Sequence, residues 1–232
     1  MEGGIEPKAR LEAELRLRIP STMCLVGSSN SGKSRLMLYL ITHPELFVPR
    51  PQRILLFYDQ YQESYVHAKK LLEKKHGIQL LLYQGFDEEK LHLDKLERTQ
   101  GPTLLAIDDF SDKAASSQEI ARIATNGRHK NIGLLLILHT LFHKHPASRT
   151  ISANTLYYFF LPSVRLGSQL KTFGGQIGMK DRLFKAYRDF TQYSSNPILN
   201  EHRYLLLDLH PQTEEVLRVR SRIHLPIQIC FV

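Results

Sequence analysis

Five short runs in this chain are apolar from end to end, Met23–Val26, Ile54–Tyr58, Leu104–Ile107, Leu134–Leu138 and Leu156–Phe160, and a sixth, Ile78–Tyr83, is broken only by Gln79. A strand with one wet face alternates apolar and polar residues, because successive side chains point to opposite sides. Continuous apolar runs instead suit strands covered on both faces, as in parallel sheets. Between several of these runs lie stretches with helical spacing or composition: Ser34–His43, Ser64–Lys75, Glu88–Glu97 and Ser117–Asn126. Strand and helix in alternation predict an α/β domain with a mainly parallel central sheet covered by helices. Residues 21–165 carry this pattern. Residues 166–232 read as an extension of the same domain, with Gly167, Gly174, Gly175 and Gly178 breaking the pattern before a helix over Lys180–Thr191. Two further strands, Tyr204–Asp208 and Val216–Arg220, flank a turn at Pro211–Thr213 and predict a C-terminal β-hairpin on the same sheet. Residues 1–20 read as an N-terminal arm with one short helix over Ala9–Leu17.

The first strand runs into Gly27-Ser28-Ser29-Asn30-Ser31-Gly32-Lys33-Ser34. This octet fits G-x-x-x-x-G-K-[ST] at every fixed position. The chemistry explains the spacing. Glycines let the backbone turn its N–H groups toward a phosphate. Lys33 brings a positive charge to the β- and γ-phosphates, and the Ser34 hydroxyl can ligate Mg²⁺. The helix that follows aims its positive end at the same anion. We assign Gly27, Ser28, Ser29, Asn30, Ser31, Gly32, Lys33, Ser34 and the next residue, Arg35, to contacts with ATP or GTP.

A Mg-nucleotide site also needs a carboxylate at the end of a buried strand. Thr103-Leu104-Leu105-Ala106-Ile107-Asp108-Asp109 supplies two. In this reading Asp108 holds Mg²⁺ through its water shell, and Asp109 orients and deprotonates the attacking water. The plainer alternative is a strand ending in an Asp-rich turn, since Asp112 follows. A further strand, Ile54–Tyr58, comes between the two motifs, which is normal in RecA-like ATPases. In such folds the strand beside the one bearing the acids carries a polar sensor at its tip, and here Leu134–Leu138 ends in His139-Thr140. His139 then contacts the γ-phosphate or the water, or else merely caps the loop.

Composition adds limits. Lys plus Arg is 31 and Asp plus Glu is 23, a formal charge of +8, which favours an anionic partner. Two cysteines, Cys24 and Cys230, build no disulfide framework and fit a reducing, intracellular compartment. The longest apolar run, Ile132–Leu138, is far short of the roughly 20 residues of a membrane span.

The order of motifs over residues 20–165 resembles the viral genome-packaging ATPases of the FtsK/HerA superfamily, in the poxvirus-type branch shared with Polinton and adintovirus-like elements. Arg53–Tyr58 followed by Gln60-Tyr61-Gln62 looks like that family's second strand and polar turn, and Ile107-Asp108-Asp109 like its paired acids. His129–Gly133 through Leu141–Lys144 resembles its sensor strand and exit. Ser148–Ser152 with Asn154 and Tyr157 resembles the approach to its next strand. The family usually carries Gln where this chain has His139. Its Asn-Pro-Arg-Asp-like run is here Leu161-Pro162-Ser163-Val164-Arg165.

The resemblance implies a RecA-like (ASCE) P-loop ATPase that uses Mg²⁺ and ATP to move double-stranded DNA into a capsid. It implies a homo-oligomeric ring, hexameric or pentameric, that meets capsid or portal proteins and has no membrane anchor. It would work in the host nucleus or cytoplasm, at assembly sites or briefly at the capsid vertex. A neighbouring subunit would contribute an arginine to each site. Arg149 ranks first, ahead of Arg128 and Arg165. A cellular-type DNA pump or helicase of the same superfamily, and a P-loop switch controlling assembly, are the competing readings. Basic residues facing a pore would neutralise DNA phosphates. Arg218, Arg220 and Arg222 would share one face of a strand, Lys144 lies between His143 and His145, and Lys69-Lys70 and Lys74-Lys75 are paired on a helix. Each group is read first as ordinary structural or solvated surface and second as DNA contact.

Overall fold

The computed structural model describes residues 15–91, 101–191, 203–223 and 228–231. The chain enters through a short strand, β1 (Leu17–Arg18), and continues into β2 (Thr22–Val26), α1 (Lys33–Thr42) and β3 (Phe47–Val48). Next come β4 (Arg53–Tyr58), α2 (Glu63–Leu71), β5 (Gln79–Gln84), α3 (Glu88–Leu91) and β6 (Thr103–Ile107). Two helices, α4 (Ser111–Ser116) and α5 (Gln118–Asn126), lead to β7 (Ile132–Leu138), α6 (Pro146–Asn154) and β8 (Thr155–Phe160). The helices α7 (Leu166–Gln176) and α8 (Lys180–Thr191) precede β9 (Leu205–Asp208), β10 (Val219–Ser221) and β11 (Ile229–Cys230).

Among the described residues, nine strands form one sheet in the order β11-β10-β9-β8-β2-β7-β6-β4-β5. The stretch from β8 to β5 is parallel, and its members are the six apolar runs. The last three strands are antiparallel and extend the sheet beyond β8, as the hairpin reading expected. In β2, Cys24 and Val26 face one hydrophobic core while Met23 and Leu25 face the other. The same division splits Leu105 and Ile107 from Leu104 and Ala106 in β6. Helices α4 to α8 cover the first face, and α1 and α2 cover the second. Two covered faces are why these runs do not alternate.

Several elements depart from expectation. Leu17 is in a strand paired with Phe47, and Leu15 and Arg16 form a turn and a bend, so none of the three is helical; residues 9–14 of the expected arm helix lie outside the described residues. Leu17 and Ile19 are buried in the second core. The helix expected over Glu88–Glu97 is described only to Leu91, and the one over Ser64–Lys75 ends in a π-type turn at Leu72–His76. Residues 166–176 form a helix where glycines suggested a break. One of them, Gly174, serves packing: a Cβ there would come within 2.8 Å of the Lys180 backbone, so α7 and α8 cross closely.

The basic hairpin is the clearest correction. Only Val219–Ser221 is strand, and Glu215–Leu217 is a 3₁₀ turn. Arg222 has φ 60°, so the alternation that would align three arginines is broken on both sides. Arg220 is fully buried. It donates to Asp208 Oδ2 at 2.9 Å and to the Leu217 carbonyl at 2.6 Å. Arg218 binds Glu215 and the carbonyls of Asp208 and His210. These two arginines hold the hairpin together and are spent on protein partners. Removing one member of a buried pair leaves the other charge uncompensated, at a cost of about 3–5 kcal/mol. Arg220→Met should therefore lower the denaturation midpoint steeply, and urea unfolding by circular dichroism will measure it. An unchanged midpoint would mean that Asp208 finds another partner.

Candidate active site

β2 is central in the sheet, with β7 on one side and β8 on the other. Its C-terminal end, Val26, delivers the chain into the Gly27–Ser34 turn. Both neighbours brace that turn: Gly27 N–H donates to the Leu138 carbonyl at 3.2 Å, and Leu161 N–H donates to the Val26 carbonyl at 2.8 Å. A Cβ on Gly27 would lie 2.7 Å from Ser31 Oγ and 3.1 Å from Leu161 Cβ. Gly32 has φ 93°, which an L side chain rarely adopts, and it opens α1 without a side-chain cap. The first N–H groups of a ten-residue helix are thereby left for an anion.

Lys33 is 6% exposed and folds back along the turn. Its Nζ donates to the carbonyls of Gly27 at 2.9 Å and Ser28 at 2.7 Å, and lies 3.4 Å from His139 Nδ1. Burial pushes its pKa down, while Asp109 and Asp108 push it back up. Ser34 Oγ donates to Asp108 Oδ1 at 2.8 Å, joining the end of β6 to the start of α1. Asp108 is 1% exposed, and burial raises its pKa against the hydrogen bonds from Ser34 and Tyr65. Asp109 follows with φ 64°, a left-handed turn that Asp tolerates better than most residues. That turn sends Asp109 to the surface while Asp108 stays inside.

β7 separates β2 from β6, so the strand bearing His139 runs between the phosphate turn and the two acids. His139 N–H donates to Ser111 Oγ at 3.0 Å. A cavity of about 540 Å³ is bordered by Lys33, Ser34, Gln62, Asp109 and His139. A second, of about 660 Å³, is bordered by Ser28, His139, Arg165 and Gln169. A third, of about 370 Å³, runs past Asn30–Gly32 to Arg35, Pro162 and Arg203.

The structure thus brings together Lys33, Ser34, Asp108, Asp109 and His139. Arg165 borders the same turn from the β8 exit. Arg149 is exposed in α6, and Arg128 is exposed near the start of β7, the opposite edge of the sheet. In the His143–His145 cluster Lys144 and His145 are exposed, but His145 is already engaged within the chain. His143 is mostly buried, with burial lowering its pKa, and His145 caps α6 by accepting from Ala147 N–H at 3.2 Å. Of the helix lysines, Lys69 pairs with Glu73 at 3.9 Å.

Sequence reasoning missed three supporting groups. Gln169 Oε1 accepts from Thr140 Oγ1 at 2.9 Å and from Leu141 N–H at 2.8 Å, fixing the exit of the sensor strand. Ser111 anchors His139, and Tyr65 reaches Asp108. Gln62 was noticed only as part of a polar turn.

The donors suit a hard divalent cation. A hydroxyl and a carboxylate stand 2.8 Å apart, and Mg²⁺ prefers a few protein oxygens completed by phosphate and water. Among the described residues, no group of three or more His, Cys, Asp or Glu offers a metal cage elsewhere.

Residues 9–159 match the family described as Poxvirus A32 protein. The chain belongs to this family. The match takes in the phosphate turn, both acids and His139. The DNA packaging protein OPG160 of monkeypox virus is 25% identical over 138 residues, covering 55% of this chain and 44% of that protein. Its counterpart from vaccinia virus (strain Western Reserve) has the same identity and is covered over 48% of its length. The chain spans about half the length of the curated relatives it matches. The genome packaging NTPase B204 from Sulfolobus turreted icosahedral virus 2, solved with ATP-gammaS, superposes with a TM-score of 0.53 at 20% identity, covering 84% of this chain and 95% of that chain. That likeness shows the P-loop NTPase fold. No described helix is long and apolar enough to cross a membrane.

Proposed function

We propose that this chain is the ATP-hydrolysing subunit of a motor that drives double-stranded DNA into a viral capsid. One observation carries the reading. Lys33 at the start of α1, and Asp109 and His139 just past the ends of β6 and β7, border a single cavity that also holds Ser34 of the Ser34–Asp108 pair. A passive phosphate site needs the turn and Lys33. It has no use for a second, exposed carboxylate and a polar sensor aimed at the same space.

The roles follow from placement. Backbone N–H groups of the Gly27–Ser34 turn hold the phosphates, and Lys33 meets the charge on the β- and γ-oxygens. Ser34 and Asp108 would hold Mg²⁺, which supplies charge neutralisation on the phosphate oxygens when bound. Asp109, free of burial, accepts the proton of the attacking water. His139 orients that water or the γ-phosphate. Val164 is fully exposed and Arg165 stands beside it on the rim of the second cavity, which shares His139 with the first, and this supports a site completed by a neighbouring subunit in a ring. Arg149 is the arginine we assign to the neighbour's site. The name of the viral relatives, DNA packaging protein, and the +8 charge support DNA as cargo. Such a motor works where capsids fill, in host nucleus or cytoplasm.

The test is ATPase activity with and without duplex DNA across a salt series, together with the mass of the assembly. Stimulation by DNA that fades as salt rises, from a multi-subunit particle, is expected. Activity indifferent to DNA at low salt would remove the cargo from this reading. Mixing Arg149→Ala with unaltered subunits should depress activity below the weighted average. Simple averaging would mean that Arg149 does not act on a neighbour.

A further inference from the structure

Tyr65 lies on α2, far in sequence from both motifs, yet its hydroxyl donates to Asp108 Oδ2 at 3.0 Å. Ser34 donates to the other oxygen, Oδ1, at 2.8 Å. Both carboxylate oxygens are therefore held, from opposite sides, by hydroxyl donors. Tyr65 is 1% exposed and its ring packs on Tyr58 with centroids 4.9 Å apart, so the hydroxyl has little freedom to swing elsewhere.

The direction of these bonds matters. A serine hydroxyl has one hydrogen and two lone pairs. Because Ser34 gives its hydrogen to Asp108, its lone pairs are left for a cation at the mouth of the phosphate turn. That holds only while Asp108 Oδ1 stays in place. A carboxylate at a strand end can turn about its last torsion, which is broad. The Tyr65 bond to Oδ2 blocks that turn. We infer that Tyr65 is a positioning residue for the divalent cation, acting through Asp108 to orient the Ser34 lone pairs.

The inference rests on the Mg-nucleotide reading above, and the experiment separates the two. A fluorescent ATP analogue is titrated into the full chain in EDTA and across a Mg²⁺ series, for the unaltered protein, Tyr65→Phe and Tyr58→Phe. Partners that hold a metal ligand in place typically change metal affinity 10- to 100-fold when removed. Tyr65→Phe should raise the Mg²⁺ concentration for half-maximal tightening about 10-fold, with affinity in EDTA within about 2-fold of the unaltered protein. Tyr58→Phe removes a hydroxyl from the same aromatic pair without touching Asp108 and should leave the Mg²⁺ midpoint in place. An unmoved midpoint in Tyr65→Phe, or an equal shift in Tyr58→Phe, overturns the assignment to Tyr65 while leaving the nucleotide site standing. No Mg²⁺ dependence in the unaltered protein overturns both.

Discussion

Lys33→Ala is expected to abolish nucleotide binding, and hydrolysis with it. The Lys33 ammonium is the cation inside the turn, close to where the negative charge of a triphosphate must sit. Its two bonds to the Gly27 and Ser28 carbonyls hold it against the loop. Hydrogen bonds to charged groups are each worth roughly 1.5–3 kcal/mol. Losing the one N–H left for a phosphate oxygen together with the two that brace the loop weakens affinity by a factor on the order of 10³ or more. Lysine also braces the loop, so alanine removes both the charge and part of the preorganised cradle. Arginine is no substitute, because its planar fork is larger and matches different geometry. Titration of a fluorescent nucleotide will read the loss directly. Retained ATPase activity in Lys33→Ala would sink the assignment of the site.

Asp109→Asn separates binding from chemistry. Asparagine keeps the size of the side chain and tolerates φ 64° at least as well as aspartate, so the turn after β6 survives. What goes is the proton acceptor. A positioned general base contributes roughly 10²–10⁴-fold. Nucleotide affinity should stay close to that of the unaltered protein while turnover falls by about that factor. Alanine at the same position would confound the result, since it fits the left-handed turn less well. A normal rate in Asp109→Asn would move the base elsewhere, with His139 the nearest candidate on the same cavity.

The parallel strands were legible because burial on both faces writes itself as near-continuous apolar runs, most fully in the inner strands and less so in the edge strand β5. The phosphate turn and the paired acids were legible because their chemistry needs particular residues at fixed spacing. The sensor strand was expected beside the strand of the paired acids, and β7 does pair with β6; the rest of the order was not legible, since nothing local in β8 says that it flanks β2. Helix α7 was hidden by Gly167, Gly174 and Gly175, whose low helix propensity tertiary packing overrides, with Gly174 in close approach to Lys180. Arg220 was read as surface because arginine is seldom fully buried. Its partner Asp208 sits on the neighbouring strand, and that pairing is not visible along the chain. Tyr65 lies within the stretch Ser64–Lys75, which was read only as helical. Only the fold shows that its hydroxyl meets the end of β6.

The phosphate turn depends on walls made much later in synthesis. β2 pairs with β7 and β8, more than a hundred residues downstream, and Gly27 leans on Leu138 and Leu161. Contacts this distant must await long loop closure, which slows folding. A nascent chain that has left the ribosome only as far as β6 already carries every residue of the turn, but neither flanking strand. It emerges with the edges of β2 unpaired, a state prone to misassociation until Phe160 and Leu161 arrive.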